Sequence, residues 1–528
     1  MIDSDKPLSR SLLWDIQRRY FEDQGIEAWR GNIVPSYITS NPHIAHSYAR
    51  VVIGYLRDHL PALDPSQPVY IVELGAGGGR FGFYFMRSFI SLLEQSPFPD
   101  LNFCYVLTDL PELNVQFWQE HPSFQEWIAA GKLDFARFDA GADSQIALRH
   151  AGQTITAGSL KNPLIFIANY FFDSIPQDVF HIEEGMIKEV LINLTSHQPE
   201  PDPTVTGVLP RLMIHFRTQE SDTSAYYHDS ELDSILEQYR GLENSYLLFP
   251  ADGIRLMRGL IDLTGGRMLM LCGDFGLWSK EEWDHNGSPD VRIHGSISME
   301  VNFHALGAFV QNQDGAYLAP SFHTQYLTAC AFLIGETPGG YTETRLAFTE
   351  AIDRVGPNDF FLVKRGAERA YSVMTLSEML GFMRFSGWDP HLFLDAFDDL
   401  LEKIADAGAP DRKELARVVQ EVWANYYHLG EARDLPFNLG IILFRLGLAK
   451  EALPYFNQSL AYYGPSPVTL YNLALCQTQL REFRTAWSQV KKALLIDPAF
   501  EPALALEKEL LKNQPGLKHW AVVPEDRE

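Results

Sequence analysis

A glycine-rich turn with one carboxylate beside it is the stretch of this sequence whose residue types most directly suggest chemistry. The segment VYIVELGAGGGRFGFYF, residues 69–85, places Glu73 two positions before Gly75, at the end of an apolar run. Its glycines also satisfy the G-x-G-x-x-G spacing of dinucleotide-binding turns, whose backbone amides approach a pyrophosphate. A carboxylate at this position repels a pyrophosphate and attracts an ammonium group. The pattern therefore favours a ligand with an amino-acid head over a dinucleotide.

This strand–turn–helix pattern resembles the first motif of the class I S-adenosylmethionine-dependent methyltransferases. The resemblance implies that Gly75, Gly77 and Gly79 let the backbone approach the methionine moiety and the ribose, because glycine has no Cβ. It also implies that Glu73 lies near the amino group of the cofactor. The helix that begins near Gly79 would offer its first backbone amides to the methionine carboxylate.

Two further strand ends supply candidates for the rest of the cofactor site. Asp109 ends the apolar run FCYVLTD and is expected to accept both ribose hydroxyls; its alternative role is that of a turn residue before Pro111. After the next run, KLDFARFDAGAD, Asp139 is the candidate for the adenine amino group, with Phe138 as a stacking neighbour. Asp143 is the alternative to Asp139.

The fourth apolar run, NPLIFIANYFFDSIPQDVF, resembles the Asn-Glu-Phe-Phe-Asp segment of the MidA-like methyltransferases. The likeness spans about residues 33–330, with SYITSNPHIAHSYARVV upstream and GGRMLMLCGDFG downstream. It implies that Asn169 and Asp173 orient the methyl acceptor, with Tyr170 between them as a third catalytic candidate. Because the family has glutamate where this chain has Tyr170, the expectation of an arginine acceptor, which needs carboxylates, is weakened. Asp173 and Asp178 could substitute in part, or Tyr170 could seat a neutral amine or a carboxylate.

The order of apolar and helical stretches predicts several domains in this chain of 528 residues. Short apolar runs alternate with helical stretches over 67–340, which predicts an α/β domain with a class I methyltransferase (Rossmann-like) sheet and helices on both faces. Residues 1–66 are predicted to be a helical region, and a polar, proline-rich insertion is expected near 196–245. A helical linker or degenerate repeats are expected over 341–430.

The last hundred residues contain an internal repeat. NLGIILFRLGLAKEAL begins at Asn438 and NLALCQTQLREFRTAW begins at Asn472, a period of 34 residues. A 34-residue period with small residues at the helix crossing resembles the tetratricopeptide repeat. An all-α domain of such repeats is predicted over 431–515, because each helix pair has an apolar face that only a neighbouring pair covers. The groove of such a domain implies a protein or peptide partner.

Charge and cysteine content narrow the possible environment. The net charge of −25 disfavours nucleic-acid binding. No apolar run approaches the roughly 20 residues of a membrane helix, and the first residues lack the apolar segment of a signal peptide. The four cysteines have no metal-ligand or redox spacing, which indicates free thiols in the cytoplasm. No metal site is predicted, since histidine pairs such as His43 and His46 lack further ligands.

These patterns together predict a cytoplasmic S-adenosylmethionine-dependent methyltransferase whose helical repeats bind a protein acceptor. The cofactor is already activated, so the protein has mainly to align the reactants and supply a deprotonated nucleophile. Two alternatives remain open. One is a cofactor-binding assembly or scaffold protein without turnover, which Tyr170 favours; the other is a small-molecule methyltransferase. No feature of the sequence indicates an oligomeric state.

Overall fold

The computed structural model describes residues 2–30, 33–200, 202, 204–221, 223–294, 296–337 and 340–519. The chain divides into two compact units, Met1–Leu362 and Val363–Glu528. The strands are β1 (Asp3–Pro7), β2 (Val69–Leu74), β3 (Phe103–Asp109), β4 (Leu133–Arg137), β5 (Ile146–Ala147), β6 (Thr154–Ile155), β7 (Leu164–Asn169), β8 (Asp178–Glu183), β9 (Met186–Ser196), β10 (Leu212–Gln219), β11 (Ser245–Phe249), β12 (Met268–Asp274), β13 (Gly276–Leu277), β14 (Arg292–His294), β15 (Ser296–Ser298), β16 (Val301–Asn302), β17 (Ala316–Leu318) and β18 (Thr328–Ile334).

The α-helices are α1 (Leu12–Gln24), α2 (Glu27–Arg30), α3 (Pro42–His59), α4 (Arg80–Glu94), α5 (Glu112–Glu120), α6 (Gln125–Ala129), α7 (Ser230–Glu237), α8 (Ala251–Thr264), α9 (Phe303–Asn312), α10 (Thr342–Phe348), α11 (Pro357–Glu368), α12 (Leu376–Phe385), α13 (Pro390–Asp395), α14 (Phe397–Lys403), α15 (Ala409–Ala424), α16 (Leu435–Arg445), α17 (Ala449–Tyr463), α18 (Pro467–Gln479), α19 (Phe483–Ile496) and α20 (Glu501–Asn513).

A seven-stranded mixed sheet forms the centre of the first unit, in the order β17-β18-β12-β7-β2-β3-β4. The five strands from β12 to β4 are parallel, while β18 runs antiparallel to β12 and β17 antiparallel to β18. The strand order reverses between β2 and β7. In open α/β sheets, ligands bind in the crevice that such a reversal creates at the carboxyl ends of the strands. The predicted α/β fold class is confirmed.

Helices cover both faces of this sheet, which explains why its central strands are apolar throughout. Alternate side chains such as Val72 and Phe166 belong to the core that also contains the apolar residues of α8 and α9. The intervening side chains face α4, where the rings of Phe85 and Tyr105 lie 5.2 Å apart. Strand parity therefore decides which helix layer each strand residue meets.

A second, antiparallel sheet of five strands follows the order β1-β9-β8-β11, with β10 on β9. Glu184 and Gly185 join β8 to β9 and have φ values of 52° and 74°, as a tight two-residue hairpin requires. The sequence predicted only a polar insertion near 196–245, whereas strands occupy much of Asp178–Phe249. The predicted helical region 1–66 likewise contributes β1. A glutamate in place of the usual Asn or Asp left this hairpin without its common sequence signal.

In the second unit the described residues contain helices and no strand. Consecutive helices α16 and α17 pack closely, because a Cβ at Gly440 would lie 2.8 Å from the ring of Phe456. One period later Ala474 in α18 is fully buried beside α19. The predicted all-α C-terminal region is confirmed, and its identity as tetratricopeptide repeats stays a prediction.

The helices and the cysteines each have one further property. Among the residues that the structure describes, no helix has both the length and the apolar content needed to cross a bilayer. All four cysteines are buried and unpaired, and Cys272 lies directly opposite Cys330 in the β12–β18 ladder.

Candidate cofactor site

A cavity of about 660 Å³ lies at the carboxyl edge of the seven-stranded sheet. It is reached by Gly75 after β2, Asp109 at the end of β3, Phe138 and Asp139 after β4, and Tyr170 after β7. Its volume is within the range of small-molecule sites. Further walls come from α1 and the residue Trp29, from the loop 140–144, and from one face of α8, with Asp252 and Arg255 among its side chains.

The glycine turn has a backbone conformation that glycine adopts more readily than other residues. Gly75, Gly77 and Gly79 have φ values of 64°, 54° and 76°, a region that side chains with a Cβ rarely adopt. Two aromatic rings lie against the turn. A Cβ at Gly75 would be 3.1 Å from the ring of Phe171, and one at Gly77 would be 2.6 Å from the ring of Trp29.

Asp109 holds the glycine turn through its carboxylate. Its Oδ2 accepts hydrogen bonds from the backbone N–H of Gly77 (2.8 Å) and from the side-chain amide of Asn114 (3.0 Å). Its Oδ1 accepts from the backbone N–H of Leu110 at 2.8 Å. Burial raises the pKa of Asp109, and these three bonds oppose that rise. A carboxylate accepts about four hydrogen bonds, so one position remains for a ribose hydroxyl rather than the two expected.

Glu73 does not face the cavity, which corrects the role expected for it. Its side chain is 4% exposed, and its Oε2 accepts a hydrogen bond of 2.8 Å from the hydroxyl of Tyr105 beneath α4. The absence of a side chain at Gly82 makes room for it, because a Cβ there would be 2.8 Å from that oxygen. Burial raises the pKa of Glu73 to about 8. At neutral pH the group is therefore mostly protonated, and it carries no fixed charge with which to select an ammonium group.

Phe138 and Asp139, the residues expected near the adenine, both line the cavity, and so does the alternative, Asp143. Phe138 is buried. The carboxylate of Asp139 is already engaged, because its Oδ2 pairs with the Arg18 guanidinium of α1 and its Oδ1 accepts from the backbone N–H of Gly141 at 3.1 Å. Burial raises the pKa of Asp139, but the Arg18 hydrogen bond and charge outweigh burial and lower it.

Two of the three predicted catalytic residues do not line the cavity. The Oδ1 of Asn169 accepts a hydrogen bond of 3.0 Å from the hydroxyl of Tyr48 in α3, and its amide donates to the carbonyl of Thr39 at 3.4 Å. Asp173 is buried and accepts a hydrogen bond of 3.0 Å from the hydroxyl of Ser174. Neither residue lines the cavity. Asn169 therefore ties the end of β7 to its surroundings, while Asp173 bonds to its neighbour in the chain.

Tyr170 does line the cavity, and its backbone is in the left-handed region with φ at 48°. Its backbone N–H donates to the carbonyl of Gly273 at 2.9 Å. Burial raises the pKa of its hydroxyl, helped by the nearby carboxyls of Asp173 and Asp274. A non-glycine residue at positive φ is a strained position of the kind that recurs at functional sites.

Beneath Tyr170 lies a pair of buried carboxyls. The Oδ2 of Asp274 accepts from the backbone N–H groups of Phe171 and Phe172, at 3.4 and 3.2 Å, and its Oδ1 has no hydrogen-bond partner among the described residues. Burial raises the pKa of Asp274, and the neighbouring charge of Asp173 raises it further. Burial likewise raises the pKa of Asp173. Two neighbouring buried carboxyls hold at least one proton between them, because charging both at once has a large electrostatic cost.

The cavity thus brings together half of the predicted site and adds residues that no motif indicated. It gathers Gly75, Asp109, Phe138, Asp139 and Tyr170 and leaves out Glu73, Gly77, Gly79, Asn169 and Asp173. The additions are the side chains of α1 and α2, with Trp14, Gln17, Arg18, Phe21 and Trp29, and those of α8. The aromatic content of residues 11–30 was the only sequence signal for these additions. Contacts between residues so far apart in the chain leave no fixed spacing in the sequence.

These residues fit the adenosine half of S-adenosylmethionine better than its amino-acid half. Asp109 keeps one free acceptor position, and the Phe138 ring forms an apolar wall beside it. The rings of Phe171 and Trp29 lie where an amino-acid head would approach the glycine turn. The lining of the cavity therefore fits a nucleoside, and the rings of Phe171 and Trp29 cover the turn beside it.

Comparisons with known proteins return distant structural neighbours. No protein-family model matches the chain, and no curated protein matches it. An uncharacterised protein from Burkholderia thailandensis has 13% identity and a TM-score of 0.38, over 62% of this chain and 87% of that chain. A member of the same superfamily and organism, described as a candidate methyltransferase and bound to S-adenosyl-homocysteine, has 13% identity and a TM-score of 0.41, over 76% of this chain and 84% of that chain.

Proposed function

We propose that this protein is an S-adenosylmethionine-dependent methyltransferase. The observation that carries the proposal is the convergence of four successive strand ends of the sheet on one cavity, with a glycine, a carboxylate, an aromatic ring and a tyrosine in the order in which the chain supplies them. This is the crevice in which open α/β sheets bind nucleotides. Together with the glycine turn, the Asn169–Asp173 stretch supports a methyltransferase of MidA-like type.

The residues after the four strands have defined parts in this proposal. Asp109 holds the turn at Gly77 and offers its remaining lone pair to a ribose hydroxyl, while Phe138 packs against the base. Arg18 neutralises Asp139 and so limits the negative charge of the cavity. The cofactor, when bound, supplies an activated methyl group. Tyr170 lies at the end of the cavity nearest β7 and is the candidate for contact with the acceptor.

The acceptor in this proposal is a protein that the C-terminal helical unit recruits. Support comes from the 34-residue period and from the stacked helix pairs α16–α17 and α18–α19. Stacked helix pairs form extended surfaces that bind peptides and proteins. A small-molecule acceptor is the alternative, since the cavity is of a size that small molecules fill.

Calorimetry with S-adenosyl-homocysteine tests the cofactor. We expect binding by the wild-type chain and a loss of at least about 100-fold in Gly77→Arg, because a large cation would displace the ring of Trp29 and block the turn. Gly152→Arg is the matched control: Gly152 has a φ of 64° but open space around it. Binding of NADH without S-adenosyl-homocysteine would replace the proposal with that of an oxidoreductase.

Labelled cofactor and a host lysate test the acceptor. Transfer of the label to a protein band by the full chain, but not by a chain ending at Leu362, would support recruitment by the helical unit. If both chains instead transfer the label to a small molecule, the small-molecule acceptor is favoured.

A cofactor-binding scaffold without turnover is the second candidate. The absence of Asn169 and Asp173 from the cavity lining favours it, because residues that orient an acceptor would be expected to line the cavity. Tight binding of S-adenosyl-homocysteine with no methyl transfer to protein or small molecule would decide for this candidate.

A further inference from the structure

Residues Ser11–Arg30, named here the N-terminal cover, form one wall of the cavity. They comprise α1, the turn at Gly25 and α2. The Arg18 guanidinium pairs with Asp139, and the Arg30 guanidinium lies 5.6 Å from the ring of Phe117. Gly25, with a φ of 48°, lies so close to α5 that a Cβ would be 2.8 Å from the Cβ of Leu113. The cover is therefore fastened to both elements that follow β3 and β4.

The cover lies on the glycine turn through Trp29. Atoms of its ring would lie 2.6 and 2.7 Å from a Cβ at Gly77, so the ring occupies the surface that the missing side chain leaves open. Phe21 stacks on Trp29 with ring centroids 6.2 Å apart and planes within 17°. The part of the turn that backbone-binding ligands approach is thus filled by the protein's own side chains.

The covered state leaves several polar atoms without a partner. In the cover these are the Oε1 of Gln17, the hydroxyl of Tyr20 and the Nε1 of Trp29, all buried and without a hydrogen bond among the described residues. The Oδ1 of Asn114 is a fourth, 3.5 Å from the Cβ position of Gly25. Each buried group that lacks its bond raises the free energy of the state that buries it. The Arg18–Asp139 pair, whose guanidinium is exposed, offsets little of this.

We propose that the N-terminal cover is autoinhibitory: Trp29 excludes the amino-acid end of the cofactor from the glycine turn, and the cover withdraws when the cofactor binds. This inference rests on the proposed cofactor. Withdrawal exposes the turn at Gly77 and lets the four unpartnered polar atoms bind water or ligand. The measured affinity is then the affinity of the open site reduced by the fraction of molecules that are open.

Calorimetry of the full chain with S-adenosyl-homocysteine is the first test. Trp29→Ala is expected to bind about 5- to 30-fold more tightly than wild type, because it raises the open fraction. Arg18→Ala is expected to gain up to about threefold, since an ion pair whose guanidinium is exposed holds the cover weakly. Arg19→Ala is the matched control on the same helix; its guanidinium contacts Thr204 and not Asp139, and its affinity should not change.

Hydrogen exchange of the unmodified protein is the second test, and it needs no variant to fold. Saturating S-adenosyl-homocysteine should raise amide exchange at least about twofold in residues 11–30 and lower it in residues 75–82. A fall in both segments, or weaker binding by Trp29→Ala, would make the cover a wall of the site and overturn the inference while the proposed function stands. Absence of binding by every variant would overturn both, whereas binding by Trp29→Ala alone would support both.

Discussion

The carboxyl edge of the seven-stranded sheet has two halves that use acidic residues in opposite ways. At the ends of β3 and β4, Asp109 accepts three hydrogen bonds and Asp139 pairs with Arg18. At the ends of β7 and β12, Asp173 has one hydroxyl partner and Asp274 keeps an oxygen with none among the described residues. The first half gives its carboxylates hydrogen-bond partners, and the second half buries its carboxyls with few partners.

This difference shows that a carboxylate at a strand end does not by itself indicate one role. A carboxylate with several N–H partners organises the backbone and is ready for a ligand at its remaining lone pair. A buried carboxyl with few partners stores free energy and holds a proton. Glu73 is also a buried carboxyl with few partners, although it lies in β2 just before the glycine turn. The reason is that α4 covers its face of the sheet.

Replacing Asp109 should have the largest effect. In Asp109→Asn an NH₂ group must face one of the backbone donors of Gly77 or Leu110, so a buried N–H loses its acceptor. We expect a loss of about 2–4 kcal/mol in the free energy of unfolding by urea and at least about tenfold in affinity for S-adenosyl-homocysteine. Asp143→Asn is the control. Among the described residues, Asp143 accepts one hydrogen bond, from the backbone N–H of Asp139, so the variant should lose under about 1 kcal/mol. Equal losses of unfolding free energy in the two variants would mean that the hydrogen bonds of Asp109 do not stabilise the turn.

Glu73→Gln should stabilise the protein in alkaline solution. Because the pKa of Glu73 is raised to about 8, the folded wild type keeps a proton that the unfolded chain releases, so stability falls as pH rises from about 4.5 to 8. The glutamine variant lacks this fall and should be more stable by about 2–4 kcal/mol at pH 8, and nearly equal at pH 4.5. Urea unfolding at both pH values measures it. If Glu73→Gln instead lowers the affinity for S-adenosyl-homocysteine, Glu73 contributes to the cofactor site.

Asp274→Asn should shift stability in the same direction. Burial and the charge of Asp173 raise the pKa of Asp274, so wild-type stability again falls as pH rises above the ordinary carboxyl range. The asparagine keeps an oxygen for the N–H groups of Phe171 and Phe172 and should gain roughly 1–3 kcal/mol at pH 8. Thermal unfolding against pH measures this. A loss of stability at every pH would mean that the charged carboxylate is what those N–H groups need.

Asn169→Ala should leave cofactor binding within about twofold of wild type. Asn169 contacts Tyr48 and Thr39 rather than the cavity, so its loss should cost about 1–2 kcal/mol in the free energy of unfolding through the buried hydroxyl of Tyr48. Tyr48→Phe should lose a similar amount, and the double variant should lose little more. A tenfold loss of S-adenosyl-homocysteine affinity would place Asn169 in the site after all.

Local features of the sequence were predictable because short-range physics produces them. The turn 75–79 needs positive φ, which glycine alone adopts freely, and the structure has that conformation at Gly75, Gly77 and Gly79. Continuous apolar runs indicated strands buried on both faces. The ends of those strands placed Asp109, Phe138 and Asp139 at one edge, and the structure brings them into one cavity.

Side-chain direction was not predictable for residues in those same strands. A strand buried on both faces gives no polar alternation, so the sequence does not show that Glu73 faces α4 rather than the crevice. The antiparallel sheet was missed for a related reason, since Glu184–Gly185 lacks the common hairpin residues. Asn169 and Asp173 sit in a matching motif, yet their direction depends on α3 and on the turn after β7.

The sequence by itself determined the buried strands of the α/β sheet, the glycine-rich turn after β2 and the helical C-terminal region, because propensity, periodicity and turn chemistry act between neighbours in the chain. Only the tertiary structure decided which side chains meet in the cavity. Trp29 contacts Gly77 and Arg18 pairs with Asp139, although long stretches of chain separate them. Glu73 accepts a hydrogen bond from Tyr105 in the core. Such contacts follow from the packing of whole layers, which no local pattern encodes.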